Sequence, residues 1–134
     1  RYAQLCNDNN INLAVDIRNI DFSFITDSDL TALLDNLLEN AFEAAKSSEK
    51  KQIELYIDNR NEKYILFDII NSSDTEPKTI GGFYISTKKN KNPHGIGLKS
   101  ISRIVKRYSG NLDCNYNNSK KIFQTSILLK TTSE

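Results

Sequence analysis

Methionine is missing from the 134 residues, histidine occurs once and cysteine twice, and each scarcity closes off a class of function. With no initiator methionine and none elsewhere, the chain reads as a piece cut from a longer protein. His94 and the two cysteines, Cys6 and Cys114, form no metal-ligand spacing, which leaves no obvious zinc set. The thiols read as reduced side chains of a cytosolic protein. Long apolar runs are also lacking: none approaches the roughly 20 residues a membrane-crossing helix needs, and no signal peptide precedes the fold. Nor is there an excess of one charge. The 18 basic and 17 acidic residues leave a net of +1, too little to draw the chain to nucleic acid or anionic lipid. What remains, 38% hydrophobic and 26% charged, is the composition of one soluble globular domain with a real core.

The stretch the chain is organised around is DLTALLDNLLENAFEAAKSS, Asp29 to Ser48. Leu30, Leu33, Leu34, Leu37, Leu38, Ala41, Ala44 and Ala45 recur at three-and-four spacing, so one stripe of a long helix packs on a core. The opposite stripe carries Asn36, Asn40 and Glu43 at i, i+4 and i+7. Asparagine costs a helix interior very roughly 0.6 kcal/mol against alanine, and here two lie one turn apart. Stacked carboxamide oxygens can ligate a hard cation such as Mg2+, which keeps most of its waters and takes one or two protein oxygens plus substrate phosphates. Two asparagines on a solvated face are the competing reading.

Around that helix the pattern alternates. Residues 1–9 read as the tail of a preceding helix, and Ile11 to Ile17 as a strand. Asp21 to Ile25 (DFSFI) reads as a second short extended piece, with Asp27 or Ser28 capping the central helix. Gln52 to Asp58 and Lys63 to Ile70 are two strands around a polar turn, predicted to form an antiparallel hairpin whose nearly all-apolar second strand is central. From Asn71 to His94 the composition turns to Ser, Thr, Asn, Lys, Gly and Pro, the pattern of a mobile lid pivoting on Gly81 and Gly82. Gly95 to Gly97 opens a helix striped by Leu98, Ile101, Ile104, Val105 and Tyr108 and closed by Gly110. Strands from Asn111 to Tyr116 and Ile122 to Leu129 follow. The expected fold is an α/β two-layer sandwich: a mixed, mainly antiparallel sheet with about three helices on one face, filling residues 10–134.

Three segments carry chemistry. The first is NLLEN on the central helix. The second is the end of the buried strand, where Asn71 leaves the sheet and Asp74 follows, a pairing that an ordinary Asx turn also explains. The third is HGIGLKS, where two glycines at a helix start let backbone amides meet a phosphate. Lys88, Lys89, Lys91 and Lys99 flank it.

In this order the segments resemble the GHKL superfamily of gyrase, heat-shock chaperone, histidine kinase and MutL ATPases. NLLENAFEAA is similar to its N-box, Asn71 falls where its G1 box begins, and HGIGL is similar to its G2 box. The likeness spans about Asn10 to Lys130 and is nearest to the ATP-binding catalytic domain of sensor histidine kinases, in the branch with the Agr-type quorum-sensing receptors. It implies a Bergerat-type sandwich that binds ATP with Mg2+. It also implies that Asn40 is the principal metal ligand and Asn36 assists. Asn71 would take the adenine position, with Asp74 a competing contact. Lys88 would reach the γ-phosphate, His94, Gly95, Gly97 and Leu98 would frame the phosphates, and Thr125 in the last strand would lie near the nucleotide. The implied partners are the chain's own dimerisation and phosphotransfer domain in a homodimer, and a response regulator. The implied setting is the cytoplasmic side of a membrane-anchored bacterial receptor.

Two departures from the pattern bear on activity. The flexible glycines of the family's Asp-x-Gly-x-Gly are replaced by Ser72, Ser73, Asp74 and Thr75. Position 36 holds asparagine where hydrolysing members carry a water-activating glutamate, and a carboxamide does not titrate near neutral pH. Transfer to a protein acceptor suits it, yet no acceptor histidine is here, since His94 lies in the lid. An anti-sigma-type serine kinase of the same superfamily is one alternative. A degenerate docking or dimerisation module that no longer binds nucleotide is the other.

Overall fold

The structure, a computed structural model, describes residues 2–77, 79–80, 83–84 and 96–132. In chain order the elements are α1 (Tyr2–Asp8), β1 (Asn12–Ile17), α2 (Asp27–Lys46), β2 (Gln52–Arg60), β3 (Tyr64–Ser72), β4 (Thr79–Ile80), β5 (Phe83–Tyr84), α3 (Ile96–Arg107), β6 (Asn111–Asn117) and β7 (Ile122–Lys130). Five strands form one sheet in the order β1-β2-β3-β7-β6, parallel only between β1 and β2, and β4 and β5 pair separately. The α/β sandwich with a mixed, mainly antiparallel sheet is therefore as expected.

Period-two alternation sets which face is covered. Ile53, Leu55 and Ile57 of β2, Ile65, Phe67 and Ile69 of β3, and Ile127 and Leu129 of β7 share the face beneath the helices. α2 lies over β2 and β3, and α3 over β6 and β7. Leu33, Leu37, Ala41, Phe42 and Ala45 of α2 and Ile101, Ile104 and Val105 of α3 close the core. On the uncovered face Asp68 accepts hydrogen bonds from Gln124 and Ser126 of the neighbouring strand.

Several boundaries differ from the sequence-based expectation, each for a local reason. Asp21 to Ile25 is no strand: the Asp21 carboxylate accepts the Ser23 amide at 3.0 Å and Ile25 donates to the Phe22 carbonyl, a compact turn. Its two aromatics are drawn inward instead, Phe22 against Phe67 and Phe24 edge-on against Tyr108. The α2 cap is Thr26, not Asp27 or Ser28, because its hydroxyl accepts the Asp29 amide. β3 runs on through Asn71 to Ser72, so Asn71 stays in the sheet, opposite Ile53 and Phe123. The stretch after it holds the β4 and β5 pair; Gly81 and Gly82, the expected pivots of a lid, lie outside the described residues. At the end of α3, Ser109 takes the left-handed conformation (φ 50°) and the Gly110 amide bonds back to the Val105 carbonyl. Gly110 is required there for space, since a Cβ would sit 2.0 Å from the Leu128 carbonyl oxygen.

Candidate functional site

The covered face of the sheet changes character at one end. Along β3 the inward residues run Ile65, Phe67, Ile69 and then Asn71, only 4% exposed. Beside Ile69 on β7 stands buried Thr125, and beside that on β6 stands Cys114, its thiol 4.0 Å from the Thr125 hydroxyl. The next row, Asn71, Phe123 and Tyr116, ends the face. Buried polar groups are retained where they have partners, and a core face ending in Asn and Thr is a floor built for something polar. Asn71 makes one local hydrogen bond, its Nδ2 donating to the Ser72 carbonyl at 3.0 Å.

Over this floor stands the C-terminal half of α2. Asn36, Asn40 and Glu43 are all half-buried, beside the apolar stripe, so neither asparagine lies on an open solvated face. The Asn36 carboxamide is oriented: its Nδ2 donates to the Ala32 carbonyl one turn back at 2.8 Å, which leaves Oδ1 as the outward group. Asn40, one turn on, makes no side-chain hydrogen bond to another described residue. Glu43 is held by Lys46 at 3.7 Å, whose ammonium also lies over the Phe42 ring.

The two walls are fixed by contacts the sequence did not reveal. The Ser48 hydroxyl, just past α2, is 2.7 Å from that of Ser72 and accepts the Lys51 amide, while Ser72 accepts the Gln52 amide. This joins the end of α2 to the end of β3. Asp74 accepts the Glu49 amide at 3.0 Å, so it has a structural partner whatever else it contacts. Tyr116 donates to the Ser73 carbonyl, tying the same loop to β6. At the far end of α2, buried Asp29 accepts from Arg107 at 2.9 Å and Tyr108 at 2.7 Å. The Tyr108 hydrogen bond is the main cause holding the Asp29 carboxyl below the usual aspartate range, with Arg107 assisting against the cost of burial.

That clamp also places the start of α3. Arg107 at its end is pinned to Asp29 at the beginning of α2, and the helices pack along each other, so α3 runs back beside α2. The ten residues from Arg107 to Gly97 rise about 15 Å, the same as Asp29 to Glu39, which sets the first turn of α3 level with Asn40. The first turn of α3, the C-terminal half of α2 and the Asn71–Thr125 floor therefore lie toward the same end of the sheet. Of the expected site residues, Asn36, Asn40, Asn71, Asp74 and Thr125 are described in full and Gly97 and Leu98 by their helical backbone; Lys88, His94 and Gly95 lie outside the described residues. Lys99 is exposed. Among the described residues no group of three or more His, Cys, Asp or Glu could hold a metal ion. Burial raises the Cys114 thiol pKa, so this part of the floor stays neutral.

Residues 25–130 match the family model described as a GHKL domain. No curated protein matches the chain. Among solved structures it is similar to a mycobacterial sensor histidine kinase, MprB, with TM-score 0.70 at 16% identity, covering 97% of this chain and 91% of that one. The catalytic domain of histidine kinase ThkA in a nucleotide-free form gives TM-score 0.72 at 17% identity, covering 99% and 88%. Full-length ShkA in complex with AMPPNP gives 0.67 at 13%, with 96% of this chain on 28% of that one. At these identities the structural likeness is one of fold.

Proposed function

The chain belongs to the GHKL domain family, and from that premise we propose that it is the ATP-binding catalytic domain of a two-component sensor histidine kinase, in the branch of the Agr-type quorum-sensing receptors. The observation that supports this reading is the polar end of the covered sheet face, buried Asn71 and Thr125, at the same end of the sheet as the C-terminal half of α2 and its half-buried asparagines. GHKL domains are ATP-binding modules, usually with Mg2+. The donors fit that ion: one carboxamide oxygen is oriented outward by the Asn36 bond, a second lies one turn on at Asn40, and neutral oxygens suit a cation that keeps most of its waters. When bound, Mg2+ would neutralise phosphate charge.

The chain's own residues do the placing. Asn40 is the principal ligand and Asn36 the second. Asn71 recognises the adenine from the floor, with Thr125 on the adjacent strand. Lys88, His94, Gly95, Gly97 and Leu98 frame the phosphates, and helix amides at the start of α3 receive negative charge. Phosphoryl transfer asks mainly for in-line placement and charge stabilisation. No general base stands at position 36, so the γ-phosphoryl group passes to a histidine on a dimerisation domain and not to water. Residues 1–9, with α1, are the exit from that domain, residues 10–134 are the catalytic domain, and a response regulator receives the phosphoryl group next. The setting is the cytoplasmic side of a membrane-anchored bacterial receptor.

Radiolabelled ATP decides the matter. The chain alone is expected to hydrolyse ATP barely above background; mixed with a protein carrying the acceptor helices, it should label that protein with an acid-labile, alkali-stable phosphate. Acid-stable label, or brisk hydrolysis alone, would overturn the reading. Calorimetry should show nucleotide affinity between about micromolar and millimolar. Asn40→Ala should remove the Mg2+-dependent part and leave the thermal midpoint unchanged. Absence of binding at millimolar nucleotide would favour a docking module.

A further inference from the structure

The sheet has two open edges, and they are built differently. Along β6 the residues facing away from the helices are Asn111, Asp113, Asn115 and Asn117, and those beneath them, Leu112, Cys114 and Tyr116, are half-buried. That edge shows no large exposed apolar side chain. Along β1, Val15 is 54% exposed and Ile17 is 50%, the exposed large hydrophobics among the described residues. Natural edge strands are blunted by charged side chains, proline, a bulge or a covering helix; Asn12–Ile17 has no proline or bulge, and Asp16 and α1 leave Val15 and Ile17 open.

The backbone of β1 is equally open. Asn12 and Arg18 donate their amides inward, to the Lys51 and Ile57 carbonyls. By the two-residue period the N–H and C=O of Leu13, Val15 and Ile17 then point outward along the edge. Leu13 is half-buried near α1, which packs against β1, so the accessible stretch is Val15 to Ile17. On the face away from the helices, Asp16 and Arg18 stand side by side at 3.2 Å, each more than half exposed.

We propose that this edge pairs antiparallel with the β1 edge of a second copy of the chain, about a two-fold axis through Ile17. In that register Ile17 meets its own copy in a hydrogen-bonded pair, and Asp16 of each chain stands opposite Arg18 of the other. In this register Val15 lies opposite Asn19, just past the strand, so the apolar match rests on Ile17 against its own copy while the Asp16 and Arg18 charges complement each other twice, a combination that a strand from an unrelated protein would match only by chance. Neighbouring registers are worse. Centring on Asp16 sets two carboxylates directly opposite, an unfavourable cross-strand pair. Centring on Val15 runs the copy toward Leu13, on the α1 side. A slip of one residue puts each chain's apolar side chains on the wrong face. The inference stands apart from the nucleotide site and does not depend on it.

Sedimentation velocity on the 134-residue chain over a concentration series tests it. A concentration-dependent dimer is expected, and Ile17→Lys should leave only monomer with an unchanged circular dichroism melt, since the side chain is exposed. Asp16→Arg or Arg18→Asp alone should weaken association by about tenfold, because two attractive pairs become repulsive, and the double exchange should restore it. A monomer at every concentration would overturn the proposal. So would a dimer that survives Ile17→Lys, or one that the double exchange fails to rescue.

Discussion

The two ends of the covered sheet face follow one alternation and serve opposite ends. Toward Tyr64 the face is Ile65, Phe67, Ile127 and Leu129, none more than 2% exposed, and both helices press on it. Toward Ser72 it becomes Asn71 and Thr125, still buried, with half-buried Cys114 and Tyr116 beside them. Backbone pairing is unbroken from one end to the other, since every residue from Tyr64 to Ser72 has a partner on β7. The site is therefore a change of side-chain type on a continuous scaffold. This gives it rigid support, because strands hold a side chain's position better than loops do.

Substitutions at the two ends should separate stability from binding, and the largest effect belongs to the apolar end. Phe67→Ala, at 0% exposure and tilted against the Phe22 ring, should cost about 3–5 kcal/mol in denaturant unfolding. Asn71→Leu keeps the branched outline, adds some volume and removes one local hydrogen bond, so it should cost less than Phe67→Ala, about 1–3 kcal/mol. Nucleotide binding, read by calorimetry, should nevertheless disappear in Asn71→Leu. If that variant bound ATP normally, the polar floor would be core decoration and the contrast between the two ends would collapse.

A smaller effect tests the clamp that sets α3 beside α2. Asp29 has its pKa lowered in the folded chain, chiefly by the Tyr108 hydroxyl, so its contribution to stability is complete above the ordinary aspartate value of 3.8 and is lost as pH falls below it. Thermal midpoints measured from about pH 6 to about pH 2 should therefore drop more steeply for the native chain than for Asp29→Asn. Parallel curves would show that the carboxylate is not what joins the helices. Tyr108→Phe should lower the midpoint at neutral pH as well, by the equivalent of about 1 kcal/mol.

How much of this was legible in the sequence depends on whether the signal was periodic or tertiary. The helical stripe of Leu33, Leu37 and Ala41 and the alternation of Gln52 to Asp58 gave their elements directly, because burial on one face repeats at the helix or strand period. Asp21 to Ile25 misled because its alternating aromatics mimic a strand, while the deciding interaction is the Asp21 side chain capturing the Ser23 amide. Asn36 and Asn40 stood out as costly residues in a helix, and their half-burial fits that signal. The contacts that assemble the walls were not readable. Asp29 to Arg107 and Ser48 to Ser72 join residues 78 and 24 apart, and nothing in the sequence sets Asp29 apart from Asp27 in the same first helical turn.

The smallest expected effect concerns chemistry at the polar end. Asn36 uses its Nδ2 to bond the Ala32 carbonyl at 2.8 Å, and this bond keeps the side chain against its own helix. Glutamate at the same place has no N–H to offer, and its carboxylate would be repelled by the carbonyl oxygen it replaces a donor toward. Asn36→Glu should therefore swing outward, toward the region where the reading above places the phosphates, carrying a group that can accept a proton near neutral pH. A modest rise in ATP hydrolysis by the chain alone is expected, up to about tenfold, well short of the 10²–10⁴-fold that a positioned base supplies. Phosphate release measured under saturating ATP and Mg2+ checks it, with Asn36→Gln as the control of similar size that cannot titrate. If Asn36→Gln raised hydrolysis as much as Asn36→Glu, the gain would come from loosening the helix, and position 36 would not face the reacting phosphate.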